Sequence, residues 1–427
     1  MAFGRAAVVS TMKDVDSRIE SWVRWHCSLG FERLYIFVDD AHDTELQRRA
    51  RAAGGDKVIF FIRGSPALQD GWARQASWRG MGRDADKDIQ IRQLLNAQFA
   101  FELASIEGLN WLLHIDSDEL FLCRPERSVT AHFARLASEG CEAFVYCNLE
   151  AVPEMDALPS DDPFLQLDLF KVSESRVPPE AMRALEDWRS RNRAGKFFLY
   201  YENGKSACRV DTGGRWIPVS VHQCLPRRKP MDGGDWDDER LLTACWTNDP
   251  RNDGVRHVLH EQSCILHYPV WDAAALWRKY ALHGNFPDEL VSGATHKGGL
   301  AWGDCFHTEC RDVFVAHRAD DDSARGAIRD LFRHAAMAKG GPSELAEQIR
   351  VGALQRIPDA RELLQGLAAA SMARRELHPA PSRPPPVWTA GQQRRIVPWQ
   401  SDADYAVERV DWRGPKRASP TAKSTPA

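Results

Sequence analysis

The chain has 427 residues, a length that fits one large α/β domain with appendages or two to three domains. Its composition, 43% hydrophobic and 27% charged, is that of an ordinary globular protein, and a formal charge of −4 gives no electrostatic reason to expect a nucleic-acid partner. No apolar run approaches the roughly 18 residues of a membrane-spanning helix. We therefore expect no transmembrane segment and a chain that is soluble as given. The compartment stays open: cytoplasmic, or the Golgi lumen if a targeting segment is missing.

The first half of the chain alternates strand and helix patterns. Apolar runs predict strands at "AAVVS", "RLYIFV", "KVIFFI" and "WLLHI". Helical spacing predicts helices in "DSRIESWVRWHCSLG", near residues 45–53, and from Asp88 to Glu107, whereas residues 64–87 lack a clear period and predict a loop. A helix in "SVTAHFARLASEG" and one strand in "AFVYCNL" follow. This order predicts an α/β fold built on a mostly parallel sheet.

The pattern changes after about residue 150. Short strand-like runs, "KFFLYY", "GKSACRV" and "WIPVSVHQCL", indicate an antiparallel extension of the sheet, and "SCILHYPV" predicts one more strand before the helix "WDAAALWRKYALHG". Residues 321–372 predict a C-terminal helical segment. Residues 373–427 are rich in Pro and Arg, which predicts a disordered tail.

The segment "WLLHIDSDELFL" carries the clearest chemical signal. Asp116 and Asp118 follow a predicted buried strand, and ligands of open α/β sheets bind at the carboxyl ends of such strands. Paired carboxylates suit a hard divalent ion, Mn²⁺ or Mg²⁺, which can bridge the phosphates of a nucleotide diphosphate. Arg92, on the helix before this strand, is a candidate contact for the diphosphate or an ordinary helix arginine. A solvated acidic turn is the competing interpretation of the cluster itself.

Several segments resemble the family 92 and related family 2-like glycosyltransferases. The resemblance rests on "VVSTMKDVDSRIESWVRWHCSLGFERLYIFVDDAHDTE" and "NWLLHIDSDELFL", with Leu120 where the family usually has Phe. It extends more loosely to "ENGKS", "VSVHQC" and "ILHYPVWDAAALWRKY". It implies a GT-A fold for residues 1–320, with a nucleotide-sugar half of about 1–150 and an acceptor half of about 151–320.

The resemblance also implies roles for individual residues. Asp116 and Asp118 would hold the divalent ion, with Asp116 also at the nucleotide, and Asp39 would lie near the uracil or ribose. Thr11 and Lys13 would lie beside the nucleotide. The third metal ligand is often a later histidine, for which His267 at the end of a strand is positioned; a core histidine is the other interpretation.

The resemblance favours transfer with inversion from a UDP-sugar to a glycan, protein or lipid acceptor. Inversion needs a general base that removes the proton of the acceptor hydroxyl. The loop "GGDWDDER" offers Asp237 and Asp238 for that role, although four acids in one loop also fit a solvated face.

Two other interpretations stay open. The fold can serve as a nucleotide- or sugar-binding module without turnover. A zinc-binding protein is a further possibility, because "HVLHEQSCILH" spaces His257, His260, Cys264 and His267 at usable intervals. Ten cysteines without a CxxC pair predict mainly free thiols, with a local bridge in Cys141/Cys147 or Cys305/Cys310 as the alternative.

Overall fold

The fold is taken from a computed structural model of the chain. It describes most residues from 3 to 377, with gaps at 155–161, 227–254, 259–262, 287–304 and 318–320 and at some shorter stretches. Asp237, Asp238 and His260 therefore lie outside the described residues, as do residues 378–427 of the predicted tail, whereas its first residues, 373–377, are helical.

Strands form two main sheets and a short hairpin. The first sheet has the spatial order β12-β6-β9-β4-β1-β2-β3, and the second has the order β14-β8-β7-β13-β5. The strands, in chain order, are β1 (Ala6–Met12), β2 (Arg33–Val38), β3 (Val58–Ile62), β4 (Trp111–His114), β5 (Glu119–Cys123), β6 (Ala143–Tyr146), β7 (Asn148–Ala151), β8 (Leu169–Lys171), β9 (Lys205–Arg209), β10 (Trp216–Pro218), β11 (Cys224–Pro226), β12 (Val255–Val258), β13 (Ser263–His267) and β14 (Leu354–Arg356).

The predicted fold class is confirmed. In the first sheet β3, β2, β1 and β4 are mutually parallel, and β9 is inserted antiparallel between β4 and β6. In the second sheet β13 runs parallel to β7 and antiparallel to β5. A mostly parallel sheet with an antiparallel extension is therefore the architecture of the described chain.

Helices cover the sheets and continue to residue 377. They are α1 (Arg18–Ser28), α2 (Thr44–Gly54), α3 (Pro66–Ala73), α4 (Ile89–Ile106), α5 (Val129–Ser138), α6 (Met182–Arg189), α7 (Ala273–His283), α8 (Phe306–His317), α9 (Asp321–Leu331), α10 (Pro342–Arg350) and α11 (Asp359–Leu377). The predicted helices near 45–53 and from Asp88 to Glu107 are confirmed as α2 and α4. Asp88 ends up as the cap of α4, its carboxylate accepting from the Gln90 N–H at 2.7 Å.

Three local predictions were wrong. The run "AFVYCNL" is two strands, because the chain leaves the first sheet after Tyr146 and enters the second at Asn148. The run "KFFLYY" forms bends instead of a strand, since the N–H groups of Leu199 and Tyr200 donate to the carboxylate of Glu150 and not to a neighbouring strand. The stretch 64–87 contains α3, which Pro66 begins and Ser65 caps.

The described part of the chain bears on two further expectations. None of its helices combines the length and the apolar character needed to cross a membrane. The nine cysteines that the structure describes are all free thiols, so neither Cys141/Cys147 nor Cys305/Cys310 forms a bridge. A large apolar core surrounds β1, β2, β4 and β5 and fixes the strand ends from which the candidate site is built.

Candidate functional site

The acidic turn joins the two main sheets. The chain leaves β4 of the first sheet at His114, turns through Asp116 and Asp118, and enters β5 of the second sheet at Glu119. In the register of β5 with β13, His267 lies opposite Glu119. Strand pairing therefore brings a residue nearly 150 positions later in the sequence to the edge of the acidic turn.

Asp116 is fully engaged by its neighbours. Its Oδ2 accepts a hydrogen bond from the Lys205 ammonium at 2.5 Å, and its Oδ1 accepts one from the Gln93 amide at 2.9 Å. Its backbone N–H donates to Glu119 Oε2 at 2.7 Å, so Glu119 holds the shape of the turn. We call Asp116, Glu119, Lys205 and Gln93 the closed side of the turn.

Lys205 supplies the positive charge of the closed side. It is the first residue of β9, is fully buried, and also lies 3.6 Å from Glu119. Burial alone would raise the pKa of Asp116, but the Lys205 ammonium holds that pKa well below its usual range. Burial raises the pKa of Glu119 far above the ordinary value despite Lys205. The Tyr201 hydroxyl donates to the same Glu119 carboxyl group.

Asp118 has much looser surroundings. Its Oδ2 is 3.8 Å from His267 Nε2 and 3.9 Å from the Lys279 ammonium, although its side chain is no more exposed than that of Asp116, 20% against 25%. Among the described residues, no group hydrogen-bonds to His267 Nδ1. Burial lowers the pKa of His267 to about 4, so its imidazole is neutral at physiological pH. We call Asp118, His267 and Lys279 the open side of the turn.

The open side suits a divalent ion better than the closed side does. Two ligand atoms bound to one ion at about 2.0–2.2 Å lie roughly 3–4 Å apart, and Asp118 Oδ2 and His267 Nε2 already have such a separation. Both oxygens of Asp116, in contrast, are occupied by Lys205 and Gln93. The structure does not bring Asp116, Asp118 and His267 within 4.8 Å of one another as a group of three. A ligand role for Asp116 stays a prediction.

The residues predicted at the nucleotide have separate surroundings in the structure. The guanidinium of Arg92 donates to both oxygens of Asp39, at 2.6 and 2.8 Å, and this pair is buried. Thr11 Oγ1 accepts from the Asn96 amide at 2.9 Å, whereas Lys13 is exposed. Asp39 and Arg92 were predicted to contact different parts of a nucleotide, but in the structure they neutralise each other. Their binding roles stay predictions.

The alternative zinc set draws no support from the described strands. β12, with His257, lies at the edge of the first sheet, whereas Cys264 and His267 lie on β13 of the second sheet. Cys264 pairs in register with Leu122 and His267 with Glu119, three positions earlier in β5. His260, the remaining member of that set, is not described.

Sequence reasoning missed the positive charges of the site. Lys205 lies in "ENGKS" and Lys279 in "WDAAALWRKY", segments that carried the family resemblance but no assigned role. A fully buried lysine cannot be recognised from a sequence, because lysines are mostly exposed. The available signal was the triple acid of the turn, which requires a positive neighbour when it is buried.

Comparisons with known proteins point to glycosyltransferases. No family model matches the chain. Two proteins of Arabidopsis thaliana, both named glycosyltransferase-like, are similar in sequence: one is 26% identical over 198 residues, the other 24% identical over 219 residues. These matches cover 44% and 49% of this chain but only 42% and 40% of the relatives. The chain thus has glycosyltransferase-like relatives, and it spans about two fifths of their length.

Structural likeness is weaker. Core-mannan synthase A from Aspergillus fumigatus, in an Mn/GDP form, aligns with 48% of this chain and 60% of its own at 10% identity, with a TM-score of 0.24. A mycobacterial protein aligns with 62% of this chain and 65% of its own at 11% identity, with a TM-score of 0.27. At these TM-scores the likeness carries no functional inference. The names of the sequence relatives do not specify family 92.

Proposed function

We propose that this chain is a metal-dependent GT-A glycosyltransferase, related to family 92, that moves a hexose from a UDP-sugar to a hydroxyl acceptor with inversion. The observation that carries the proposal is the open side of the acidic turn. There, Asp118 and a neutral His267 lie 3.8 Å apart at the carboxyl end of a parallel strand, and the Lys279 ammonium lies 3.9 Å from Asp118. The glycosyltransferase-like relatives support the reaction class.

In this proposal Asp118 and His267 hold Mn²⁺ or Mg²⁺, and Asp116 keeps its predicted roles as a further ligand and as a contact of the nucleotide. The bound ion would stabilise the negative charge of the departing diphosphate as a Lewis acid. Lys279 lies close enough to Asp118 to face the same diphosphate. The closed side keeps the turn in one conformation, because Lys205 and Glu119 both bind Asp116. Asp39, Arg92, Thr11 and Lys13 are the proposed nucleotide side.

The bond changes of the proposed reaction balance without further reactants. The acceptor hydroxyl oxygen attacks the anomeric carbon, and the bond from that carbon to the phosphate oxygen breaks. UDP leaves with the electron pair, and the hydroxyl proton passes to a carboxylate base. Asp237 and Asp238 remain our candidates for that base. The acceptor is a glycan, a protein or a lipid.

A donor panel tests the function. The purified chain is incubated with UDP- and GDP-sugars and Mn²⁺, and release of the nucleoside diphosphate is measured with and without excess chelator. We expect release from a UDP-sugar that the chelator abolishes. Release that persists in chelator would contradict metal dependence, and release from a GDP-sugar alone would contradict the proposed donor. Binding of UDP with Mn²⁺ but without release would indicate the inert binding module.

A further inference from the structure

Three potential metal ligands converge at the far end of β5, away from the acidic turn. Cys123 is the last residue of β5, Glu126 lies in the following loop, and His132 lies in the first half of α5. Glu126 Oε2 is 3.5 Å from Cys123 Sγ and 3.2 Å from His132 Nδ1, and all three ligand atoms lie within 4.8 Å of one another. Within the described part of the chain, no other group of three or more potential metal ligands lies this close together.

The other polar side-chain atoms of His132 and Glu126 have hydrogen-bond partners of their own. His132 Nε2 is 2.8 Å from the Tyr146 hydroxyl, and Glu126 Oε1 accepts from Arg135 at 2.6 Å. Cys123 and His132 are both buried, whereas Glu126 is partly exposed. Metal-binding histidines and carboxylates commonly have such outer partners, which fix the ring and the carboxylate in the orientation for binding. Here they hold Glu126 Oε2 and His132 Nδ1 within 4.8 Å of the Cys123 sulfur.

The separations from Glu126 to the other two ligand atoms match a tetrahedral zinc site. Zinc binds sulfur at about 2.3 Å and nitrogen or oxygen at about 2.0–2.2 Å, so tetrahedral ligand atoms lie roughly 3.3–3.6 Å apart. The two separations that involve Glu126, 3.5 and 3.2 Å, are within about 0.2 Å of that geometry. A thiolate and an imidazole favour zinc over Mg²⁺ or Mn²⁺. The fourth position would be filled by water.

We propose that Cys123, Glu126 and His132 form a zinc site that ties the end of β5 to the start of α5. On binding, a bond forms between zinc and the Cys123 sulfur, and the thiol proton is released to solvent. His132 binds through the Nδ1 lone pair, with its single ring proton on Nε2, where it donates to the Tyr146 oxygen. Glu126 binds through Oε2 and keeps its contact with Arg135.

The site is distinct from the proposed catalytic edge. Glu119 begins β5 and Cys123 ends it, so the two sites lie roughly 13 Å apart along the strand. Zinc affinity should rise with pH, because metal displaces the thiol proton. Burial, together with the nearby Glu126 carboxylate, raises the pKa of Cys123 to about 12, so the thiol holds its proton firmly in the absence of the metal.

Zinc competition tests the proposal on the full chain. Zinc is titrated against a chromophoric chelator, and Co²⁺ is used in parallel because a cobalt–thiolate bond gives a distinctive absorption band. We expect one tight equivalent and this band in the unchanged chain. Cys123→Ser should remove the band and weaken zinc binding at least about 100-fold. Cys141→Ser, a buried thiol that donates to the Ala143 carbonyl, is the matched control and should retain both.

Three outcomes would overturn the proposal: no tight zinc binding, no cobalt–thiolate band, or unchanged affinity in Cys123→Ser. Binding that is lost in Asp118→Asn but kept in Cys123→Ser would assign the zinc to the acidic turn instead. Circular dichroism checks that each variant is folded. If Cys123→Ser does not fold, Glu126→Gln serves in its place, because Glu126 is partly exposed and its loss should weaken zinc binding while leaving the band.

Discussion

The two aspartates of one turn have opposite surroundings. On the closed side, Asp116 uses both oxygens and its backbone N–H in hydrogen bonds, and its main partner, Lys205, is completely buried. On the open side, the nearest positive group to Asp118 among the described residues is the Lys279 ammonium, 3.9 Å from its Oδ2. Two residues apart, the carboxylate of Asp116 already has its hydrogen-bond partners, whereas the carboxylate of Asp118 can still bind a ligand.

This difference assigns the two sides different roles: the closed side supports the conformation of the turn, and the open side is the proposed place for the ion. A hydrogen-bonded ion pair with a fully buried lysine holds a backbone conformation, and it is strongly destabilising to break. A carboxylate with no close hydrogen-bond partner beside a neutral imidazole, as at Asp118 and His267, can still bind an ion. We therefore expect changes on the closed side to lower stability first, and changes on the open side to lower turnover with little effect on stability.

The largest expected effect is the loss of Lys205. Lys205→Met leaves Asp116 and Glu119 without their buried cation, and it should lower the free energy of unfolding by about 3–5 kcal/mol. Chemical denaturation measures this change. Lys279→Met changes the matched lysine of the open side, and it should cost no more than about 1 kcal/mol, because Lys279 is 24% exposed and lies 3.9 Å from its partner. Equal costs for the two variants would remove the distinction between the sides.

The next effect is on turnover alone. Asp118→Asn removes the anionic ligand of the open side and should lower UDP release by about 10²- to 10³-fold, because the Lewis acid contributes several kcal/mol. Thermal unfolding should show a folded protein of unchanged or slightly higher stability. Glu186→Gln, at an exposed acid of α6, is the control and should keep full turnover. Normal release from Asp118→Asn would exclude the open side as the metal site.

A smaller effect tests how the closed side is supported. Glu150 accepts hydrogen bonds from Leu199 and Tyr200 N–H groups and from Lys171, and the segment it holds leads directly to Tyr201, which donates to Glu119. Glu150→Gln should therefore lower the free energy of unfolding by roughly 2 kcal/mol.

Glu154→Gln provides the control for this support. Glu154 pairs with Arg356 where both side chains are about a third or more exposed, so the change should cost less than about 1 kcal/mol. If urea denaturation shows that both substitutions lower the free energy of unfolding equally, Glu150 has no special role in supporting the closed side.

The smallest expected effect is a pH dependence of stability that arises from His26, which contacts β5. His26 on α1 donates to the Trp22 carbonyl and accepts from the Phe121 N–H, and burial lowers its pKa to about 3 despite the Trp22 contact. Because its pKa is about 6.5 in the unfolded chain, the unfolded chain binds more protons between these values. Stability contributed by neutral His26 is thus complete above pH 6.5 and falls as the pH decreases toward 3.

The slope from this one group is at most about 1.4 kcal/mol per pH unit. Denaturation curves between pH 7 and 4 measure it, and His26→Gln, which keeps a donor and an acceptor but cannot titrate, should reduce the slope. An unchanged slope would show that His26 does not contribute.

Local patterns predicted the parts of the fold that depend on nearby residues. β1 to β4 and the helices between them follow from apolar periodicity and capping residues, and Asp116 and Asp118 follow from their place after a buried strand. Tertiary contacts decided the rest. The break at Cys147 divides one apolar run between two sheets, and Glu150 holds "KFFLYY" in bends by accepting its N–H groups.

The partners of the acidic turn come from distant segments. Lys205 is 89 residues from Asp116 in the sequence and reaches it only because β9 inserts antiparallel beside β4. His267 reaches Asp118 through the pairing of β13 with β5, which its position at a strand end suggested but did not establish. Long-range strand order, which no local pattern specifies, thus determined which aspartate is closed and which is open.

The most direct test is nucleotide binding as a function of metal. Titration calorimetry of UDP into the intact chain, with Mn²⁺ and with chelator, should show at least tenfold tighter binding in the presence of the ion. In Asp118→Asn that difference should disappear, whereas Glu186→Gln should preserve it. Equal UDP affinity with and without Mn²⁺ in the unchanged chain, or an undiminished Mn²⁺ effect in Asp118→Asn, would contradict a metal site on the open side.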